Sequence, residues 1–175
     1  MTRIARTYMS GFAAALAARL PGTWNRRYHQ HTAYTQQFAL AHQVWDLRHV
    51  HWAVTKFVLR HDAELNGPRR QRLYVIERPL KPGQFLVAPL QPGPTLSHFG
   101  GVDEPNGIAV LGDPASAAAA VTRRLLPRYH RALVTVRRDN VTARTGQPAP
   151  STPNTVPLAD GLPTHPSSGH APYVR

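Results

Sequence analysis

The sequence predicts an α+β fold in which two N-terminal helices, one of them long, pack on a small antiparallel sheet of two or three strands, followed by a C-terminal helix. Three observations lead to this prediction. Residues 23–66 contain no proline or glycine, two β-rich segments flank a proline–glycine pair, and an alanine-rich segment follows a helix-capping aspartate. A chain of 175 residues is long enough for one core. We therefore assign residues 1–138 to a single domain and residues 139–175 to a flexible Pro/Ser/Thr-rich tail.

The two N-terminal helices are predicted from the spacing of apolar residues. In the first, apolar residues recur every four positions until Pro21-Gly22 ends the pattern: Ile4, Tyr8, Phe12, Leu16 and Leu20. The second, about residues 33 to 65, is predicted because spacings of four and three alternate along Leu40, Val44, Leu47, His51, Val54 and Val58. A strand at "VHWAVTKFVL" is the alternative, since β-branched and aromatic residues favour extended backbone.

The second half of the chain supplies the predicted sheet and the last helix. The segments "LYVIER" and "QFLVAPL" form a hairpin with Pro82-Gly83 in a type II turn, and "GIAVLG" is a third strand. Asp113 is expected to cap the helix that follows, with Pro114 at its first position. Pro127 then either kinks this helix or ends it near Leu125. Beyond residue 138, seven prolines and few large apolar side chains indicate a tail that cannot bury enough surface to order.

Composition narrows the function without fixing it. Lysine and arginine number 21 against 9 acidic residues, a formal net charge of +12, and only Lys56 and Lys81 are lysines. Arginine grips phosphate in two bonds, so this excess favours a polyanion partner, although a GC-rich genome would produce the same bias. The absence of cysteine excludes disulfides and thiolate chemistry. No apolar stretch is long enough to cross a bilayer, and because Arg19 interrupts the signal-like N-terminal run, we expect a cytoplasmic protein.

The strongest candidate site is a set of cations that would bind DNA or another polyanion. A positive hairpin beside helices is similar in outline to the wing of a winged-helix domain, whose strand tips follow phosphates. The candidates fall at the predicted hairpin and on the last helix: Arg69, Arg70, Arg72, Arg78, Lys81, Arg123, Arg124, Arg128 and Arg131. Trp45 and Trp52 are weaker candidates for stacking on a base, and packing inside the protein is their alternative role.

A metal site is a weaker possibility. On a helix, His42, Asp46 and His49 would share one face, but Lys56 and Arg60 continue the same stripe and would repel a cation. A solvated face with an Asp46–histidine pair is therefore favoured. Histidines two apart, in "HQH" and "HVH", would chelate together only on a strand. We predict no metal and no cofactor.

Three functional hypotheses follow. The first is a non-enzymatic protein that binds DNA or another polyanion, and the second is a structural or assembly subunit that contacts protein copies. The third is a small enzyme. The predicted order of helix, helix, three strands and helix resembles that of acetyltransferases, which hold a cofactor pyrophosphate in an Arg/Gln-x-x-Gly-x-Gly/Ala loop. In "AVLGDPASAAAAV", however, only Gly112 precedes the helix, so the resemblance extends to topology alone.

Overall fold

The computed structural model describes residues 2–46, 48–93 and 101–145, with the side chains of residues 2–7 and 144 excepted. The helices are α1 (Thr2–Ala17), α2 (Phe38–Ala41), α3 (His49–Lys56), α4 (Pro114–Ala120) and α5 (Leu126–Thr145). The strands are β1 (Asn25–Gln30), β2 (His61–Asn66), β3 (Arg72–Glu77), β4 (Gln84–Pro89) and β5 (Ile108–Leu111). Beyond Thr145 the predicted tail lies outside the described residues.

The centre of the described fold is one antiparallel sheet of five strands in the order β1-β2-β3-β4-β5. The α+β character is confirmed, but the predicted sheet of two or three strands is wrong. Two strands that were not predicted, β1 and β2, lie before α2 and after α3. The predicted order of helix, helix, three strands and helix, which resembles that of acetyltransferases, is therefore not found. Each strand pairs with its neighbours in sequence, which leaves β1 and β5 at the edges.

The predicted long helix over residues 33 to 65 is also wrong. That region holds a 3₁₀ turn (Tyr34–Gln37), α2, α3 and then β2. The buried side chain of Gln37 stabilises the end of α3, because its Nε2 donates to the carbonyls of Val54 and Phe57 at 2.8 and 3.0 Å. Its Oε1 accepts from Leu59 N at 2.8 Å. These bonds satisfy backbone groups at the end of α3, which frees the chain to continue as a strand.

The two faces of the sheet bury separate cores. On one face α1, α4 and α5 pack over Leu65, Leu73, Phe85 and other inward residues of the strands. On the opposite face α3, with partly buried residues of α2, covers Tyr74, Ile76 and Leu86. Alternate residues of a strand point to opposite faces, so β3 and β4, which are buried on both sides, read as unbroken apolar runs.

Several local predictions are confirmed. β3 and β4 form the predicted hairpin, and Lys81 O accepts from Gln84 N at 3.2 Å around Gly83 in the left-handed region. Asp113 caps α4, accepting from Ser116 N at 2.8 Å. The predicted alternative that the last helix ends near Leu125 is wrong, because α5 continues through Pro127 after a π turn over Val121–Leu125, in which Leu126 N donates to Val121 O. The wider turn relieves the clash that a proline ring makes with the preceding turn. No helix in the described ranges is long and apolar enough to span a membrane.

Candidate polyanion-binding site

The connection between β2 and β3 is a tight turn with two arginines at its apex. Gln71 N donates to Pro68 O at 3.1 Å, and Gly67 N donates to Gln71 O at 2.8 Å. Between them Arg69 and Arg70 both take left-handed backbone, with φ of 56° and 61°. This is the geometry of a type I′ hairpin turn, in which Asn-Gly is preferred. For other residues left-handed backbone costs about 1–2 kcal/mol each, so an arginine pair is an expensive choice here.

The turn is fixed to the rest of the fold at its base. A Cβ atom on Gly67 would lie 2.6 Å from the ring of Trp24, so only glycine admits this close approach. Trp24 Nε1 in turn donates to Pro21 O at 2.9 Å. From α5, Arg137 Nη2 donates to Arg69 O at 2.9 Å. The apex is therefore held in one place while the side chains of Arg69 and Arg70 are exposed.

Three arginines line a cavity of about 610 Å³ beside this turn: Arg70, Arg72 and Arg137. Arg72 is held there from two sides. Its Nε and Nη2 lie 2.8 Å from Glu64 Oε1, and its Nη1 donates to Gln43 Oε1 at 2.9 Å. Arg72 thus lies in the predicted cluster but is already paired with a buried carboxylate. Arg137 joins the cluster although no pattern in the sequence links α5 to residue 69.

The other predicted cations lie elsewhere. Arg78 and Lys81 follow the far end of β3, about 20 Å from Arg72 at 3.3 Å per residue of strand, and Arg78 Nη1 donates to Gln84 Oε1 at 2.7 Å. Arg123 and Arg124 are exposed on the π turn. Arg128 and Arg131, on α5, line a cavity of about 370 Å³ together with Asp103 and Glu104. The predicted set therefore divides into four groups, and at the β2–β3 turn Arg137 of α5 joins the predicted arginines.

The two tryptophan candidates differ in exposure. Trp45 is buried at 3 % exposure and packs edge-on against Tyr129, with ring centroids 6.4 Å apart. Trp52 is 47 % exposed on α3 and contacts Phe57 edge-on. Of the two, only Trp52 presents part of its ring to a ligand.

The metal candidates do not converge. Asp46 is buried, and its carboxylate accepts from Arg48 N at 2.7 Å and from Val50 N at 3.2 Å, so it stabilises the start of α3. His42 Nδ1 lies 2.7 Å from Phe38 O, and His49 is exposed. Across the described part of the chain, no three His, Asp or Glu side chains are arranged to hold a metal ion.

Sequence reasoning missed a polar cluster on the face of the sheet that α3 covers. The carboxylate of Asp62, 1 % exposed, accepts from His29 Nδ1 at 2.7 Å and from His31 Nε2 at 2.9 Å. Tyr74 OH donates to Asp62 Oδ2 at 3.0 Å, and burial is the main reason that the pKa of Tyr74 is raised. The signal was "HQH": histidines two apart meet one partner only on extended backbone, and here His29 lies in β1 while His31 directly follows its last residue.

The comparisons place no known protein beside this chain. It matches no family model, no curated protein and no solved structure. Its function is therefore inferred from its own residues.

Proposed function

We propose that the protein binds a phosphate-rich polyanion, DNA in the first instance, through Arg69, Arg70 and Arg137 at the β2–β3 turn. The observation that supports this proposal is the left-handed backbone of two consecutive exposed arginines. Backbone strain concentrates where a side chain is needed for function. Asn-Gly would form the same turn without strain, so the fold does not require arginine at either position.

The charge around the turn supports the same proposal. The side chains of Arg69 and Arg70 make no hydrogen bond or ion pair with any residue in the described ranges, so their guanidinium groups retain their donors for a ligand. Arg72 is neutralised by Glu64, whereas Arg137 contacts a backbone carbonyl. Three guanidinium groups are therefore available, and each can grip a phosphate with two parallel bonds. Such contacts favour affinity over sequence preference.

The test is the salt dependence of DNA affinity. Fluorescence anisotropy with a labelled duplex of mixed sequence gives the slope of log affinity against log salt. Three phosphate contacts predict a slope of about −2.7, at roughly −0.9 per contact. Arg69→Asn combined with Arg70→Gly keeps the turn geometry and should reduce the slope by about 1.8, since two contacts are lost.

The matched control removes the same charge elsewhere. Arg123→Gln combined with Arg124→Gln lowers the net charge by two on an exposed segment away from the turn. The control should leave the slope within error of the unmodified protein. Equal losses in both variants would mean that net charge alone attracts DNA, and unmeasurable binding at low salt would reject the proposal outright.

An assembly role is the second candidate, and one observation favours it. Val134 and Val141 are 49 % and 62 % exposed on α5. They are seven residues apart, so they lie on one side of the helix, where a second helix would cover them. Analytical ultracentrifugation of nuclease-treated protein separates the two functions. An oligomer that dissociates when Val134→Ser and Val141→Ser are combined supports assembly. A monomer at all accessible concentrations rejects it.

A further inference from the structure

A second cavity lies at the opposite end of the sheet from the Arg69–Arg70 turn. It occupies about 880 Å³ between the segment that links α3 to β2 and the connection between β3 and β4. Small-molecule sites in proteins usually measure about 300–1,000 Å³, so one ligand of that class fits. Its walls are mainly apolar and include Tyr8, Phe57, Val58, Leu59 and Leu80.

Leu80 is held in an unfavourable conformation at the rim of this cavity. Lys81 N donates to Arg78 O at 3.3 Å, and Leu80 takes a φ of 62° at the third position of that turn. This is the position of a type II turn that favours glycine. The next turn has Gly83 at the equivalent place, with a φ of 77°. Leucine at residue 80 is thus strained where the neighbouring turn is relaxed.

The side chain of Leu80 is not buried by folding, so no burial energy offsets this backbone strain. It is 76 % exposed, and Val58 across the cavity is 68 % exposed. An exposed leucine in left-handed backbone contributes neither burial energy nor a comfortable turn, and strain of this kind is found at ligand clamps. The two side chains form an apolar rim that a ligand would cover.

Cations outnumber carboxylates around the same cavity. Arg60, Arg78 and Lys81 line it against one acid, Glu77, whose pKa is raised by burial. Arg78 is held by Gln84, while Arg60 and Lys81 make no ion pair or hydrogen bond through their side chains to any residue in the described ranges. His61 also lines the cavity, 2.7 Å from Tyr28 OH through its Nδ1. An apolar wall with a cationic rim complements a molecule with an apolar chain and a negative head.

We propose that this cavity binds a single-chain amphipathic carboxylate, with its chain against Val58 and Leu80 and its head group at Arg60 and Lys81. The concave shape selects a dissolved ligand over a membrane surface, because a bilayer contacts a protruding apolar patch. The carboxylate is held by two cations of different elements, and the chain is clamped by an apolar side chain from each wall.

Isothermal titration calorimetry with dodecanoate below its critical micelle concentration tests the proposal. We expect saturable binding of one dodecanoate per chain and no binding of dodecyltrimethylammonium, which has the same chain and the opposite charge. Arg60→Gln combined with Lys81→Gln should weaken dodecanoate binding at least tenfold. Arg123→Gln combined with Arg124→Gln, which removes the same charge elsewhere, should leave it unchanged.

Leu80→Gly gives a readout that unfolding cannot imitate. Glycine relieves the left-handed strain and removes the clamp, so this variant should keep or raise the Tm while dodecanoate binding falls at least tenfold. Val141→Ala, at an exposed valine of α5, is the control and should bind normally. A Leu80→Gly variant that binds as well as the unmodified protein would overturn the clamp.

Three other outcomes would overturn the proposal as a whole. The first is no saturable binding of dodecanoate, and the second is equal binding of dodecanoate and dodecyltrimethylammonium. The third is binding of the protein to anionic vesicles without binding of monomeric dodecanoate. The proposal does not depend on DNA binding. Arg69→Asn combined with Arg70→Gly should reduce the salt dependence of DNA binding and leave dodecanoate binding intact, so the two sites succeed or fail separately.

Discussion

The two faces of the sheet are built on different principles. Under α1 and α5 most buried strand residues are apolar, among them Leu65, Leu73 and Val87. Under α3 apolar residues cover only part of the sheet, and β2, the strand next to β1, carries Asp62 and Glu64, both buried. The face under α1 and α5 is stabilised by apolar packing. The face under α3 adds a polar network in which Asp62 and Glu64 each accept hydrogen bonds from neighbouring side chains.

This difference determines what each face tolerates. A packed apolar face loses stability in proportion to the volume removed. A buried polar network instead fails when one partner is lost, because the donors left behind were desolvated on folding. No buried side-chain nitrogen or oxygen in the described part of the chain lacks a hydrogen-bond partner. The polar face is therefore complete as it stands, and each substitution there leaves a specific group unsatisfied.

The largest effect should come from the apolar face. Leu65, fully buried between α1 and the sheet, leaves a cavity when replaced by alanine, so Leu65→Ala should lower the free energy of unfolding by about 2–5 kcal/mol. Chemical denaturation at neutral and mildly acidic pH measures it, and the loss should be the same at both. Val141→Ala, at an exposed site, should change stability by less than about 0.5 kcal/mol. Similar losses in the two variants would contradict the assigned core.

Alkaline pH should act on both faces through one buried tyrosine each. Burial raises the pKa of Tyr129 to about 12, and that of Tyr74 is also raised. The folded state favours the neutral phenols, so this stability is present below about pH 10 and is lost as pH rises through the folded-state pKa. For Tyr129 the loss approaches about 3 kcal/mol.

Thermal melts between neutral pH and about pH 12 measure this loss. Tyr129 OH donates to Leu90 O at 2.7 Å and accepts from Arg72 N at 3.1 Å. Tyr129→Phe should therefore lower the Tm at neutral pH and flatten its alkaline decline. A decline that is unaltered in Tyr129→Phe would show that other groups cause it.

The polar face should respond to the loss of its central carboxylate. Asp62→Ala leaves His29, His31 and Tyr74 without their shared acceptor, at a cost of about 2–3 kcal/mol. Asp62→Asn retains one acceptor oxygen and should cost less. A double-mutant cycle with Tyr74→Phe checks the network, since removing the hydroxyl should cost less once Asp62 is gone. Additive losses would mean that the tyrosine and the carboxylate do not interact.

The smallest effect should be a gain. Arg69→Asn combined with Arg70→Gly suits a type I′ turn, but the extra backbone entropy that glycine loses on folding offsets part of the relieved strain. The free energy of unfolding should therefore rise by about 1 kcal/mol. Urea denaturation measures it, with Arg123→Gln and Arg124→Gln as the charge-matched control. A variant less stable than the control would show that the arginines support the turn through contacts of their own.

The sequence predicts the apolar face far better than the polar one. α1, the β3–β4 hairpin, β5 and the Asp113 cap follow from spacing and turn chemistry, which are local signals. The sequence of β2, "HDAELN", shows no apolar alternation, because the side chains of Asp62 and Glu64 occupy the buried positions. It was therefore predicted as the polar end of a helix. The acceptors of both carboxylates are satisfied by β1 and β3, partners distant in sequence. Periodicity assumes that buried positions are apolar, so it missed this strand.

The same limitation applies to the candidate sites. Arg69, Arg70 and Arg72 cluster because they are adjacent in sequence, whereas Arg137 reaches the turn from α5, 68 residues away. Arg78 is near these arginines in sequence, yet β3, a strand of six residues, lies between them and Arg78. Clusters of arginines that are adjacent in sequence can therefore be predicted. Clusters that combine residues from different helices and strands cannot be predicted until the packing of those elements is known.

The position of β1 at the margin of the sheet affects how copies of the protein meet. An unpaired strand edge is a template on which another chain can add, the first step toward fibrils. Its sequence, "NRRYHQ", places Arg26 and Arg27 along that edge, both exposed, and Arg26 Nη1 donates to Ser10 Oγ at 2.9 Å. Stacking two such edges would bring like charges together. We therefore expect the arginines of β1 to oppose edge-to-edge pairing of two copies, independently of any ligand.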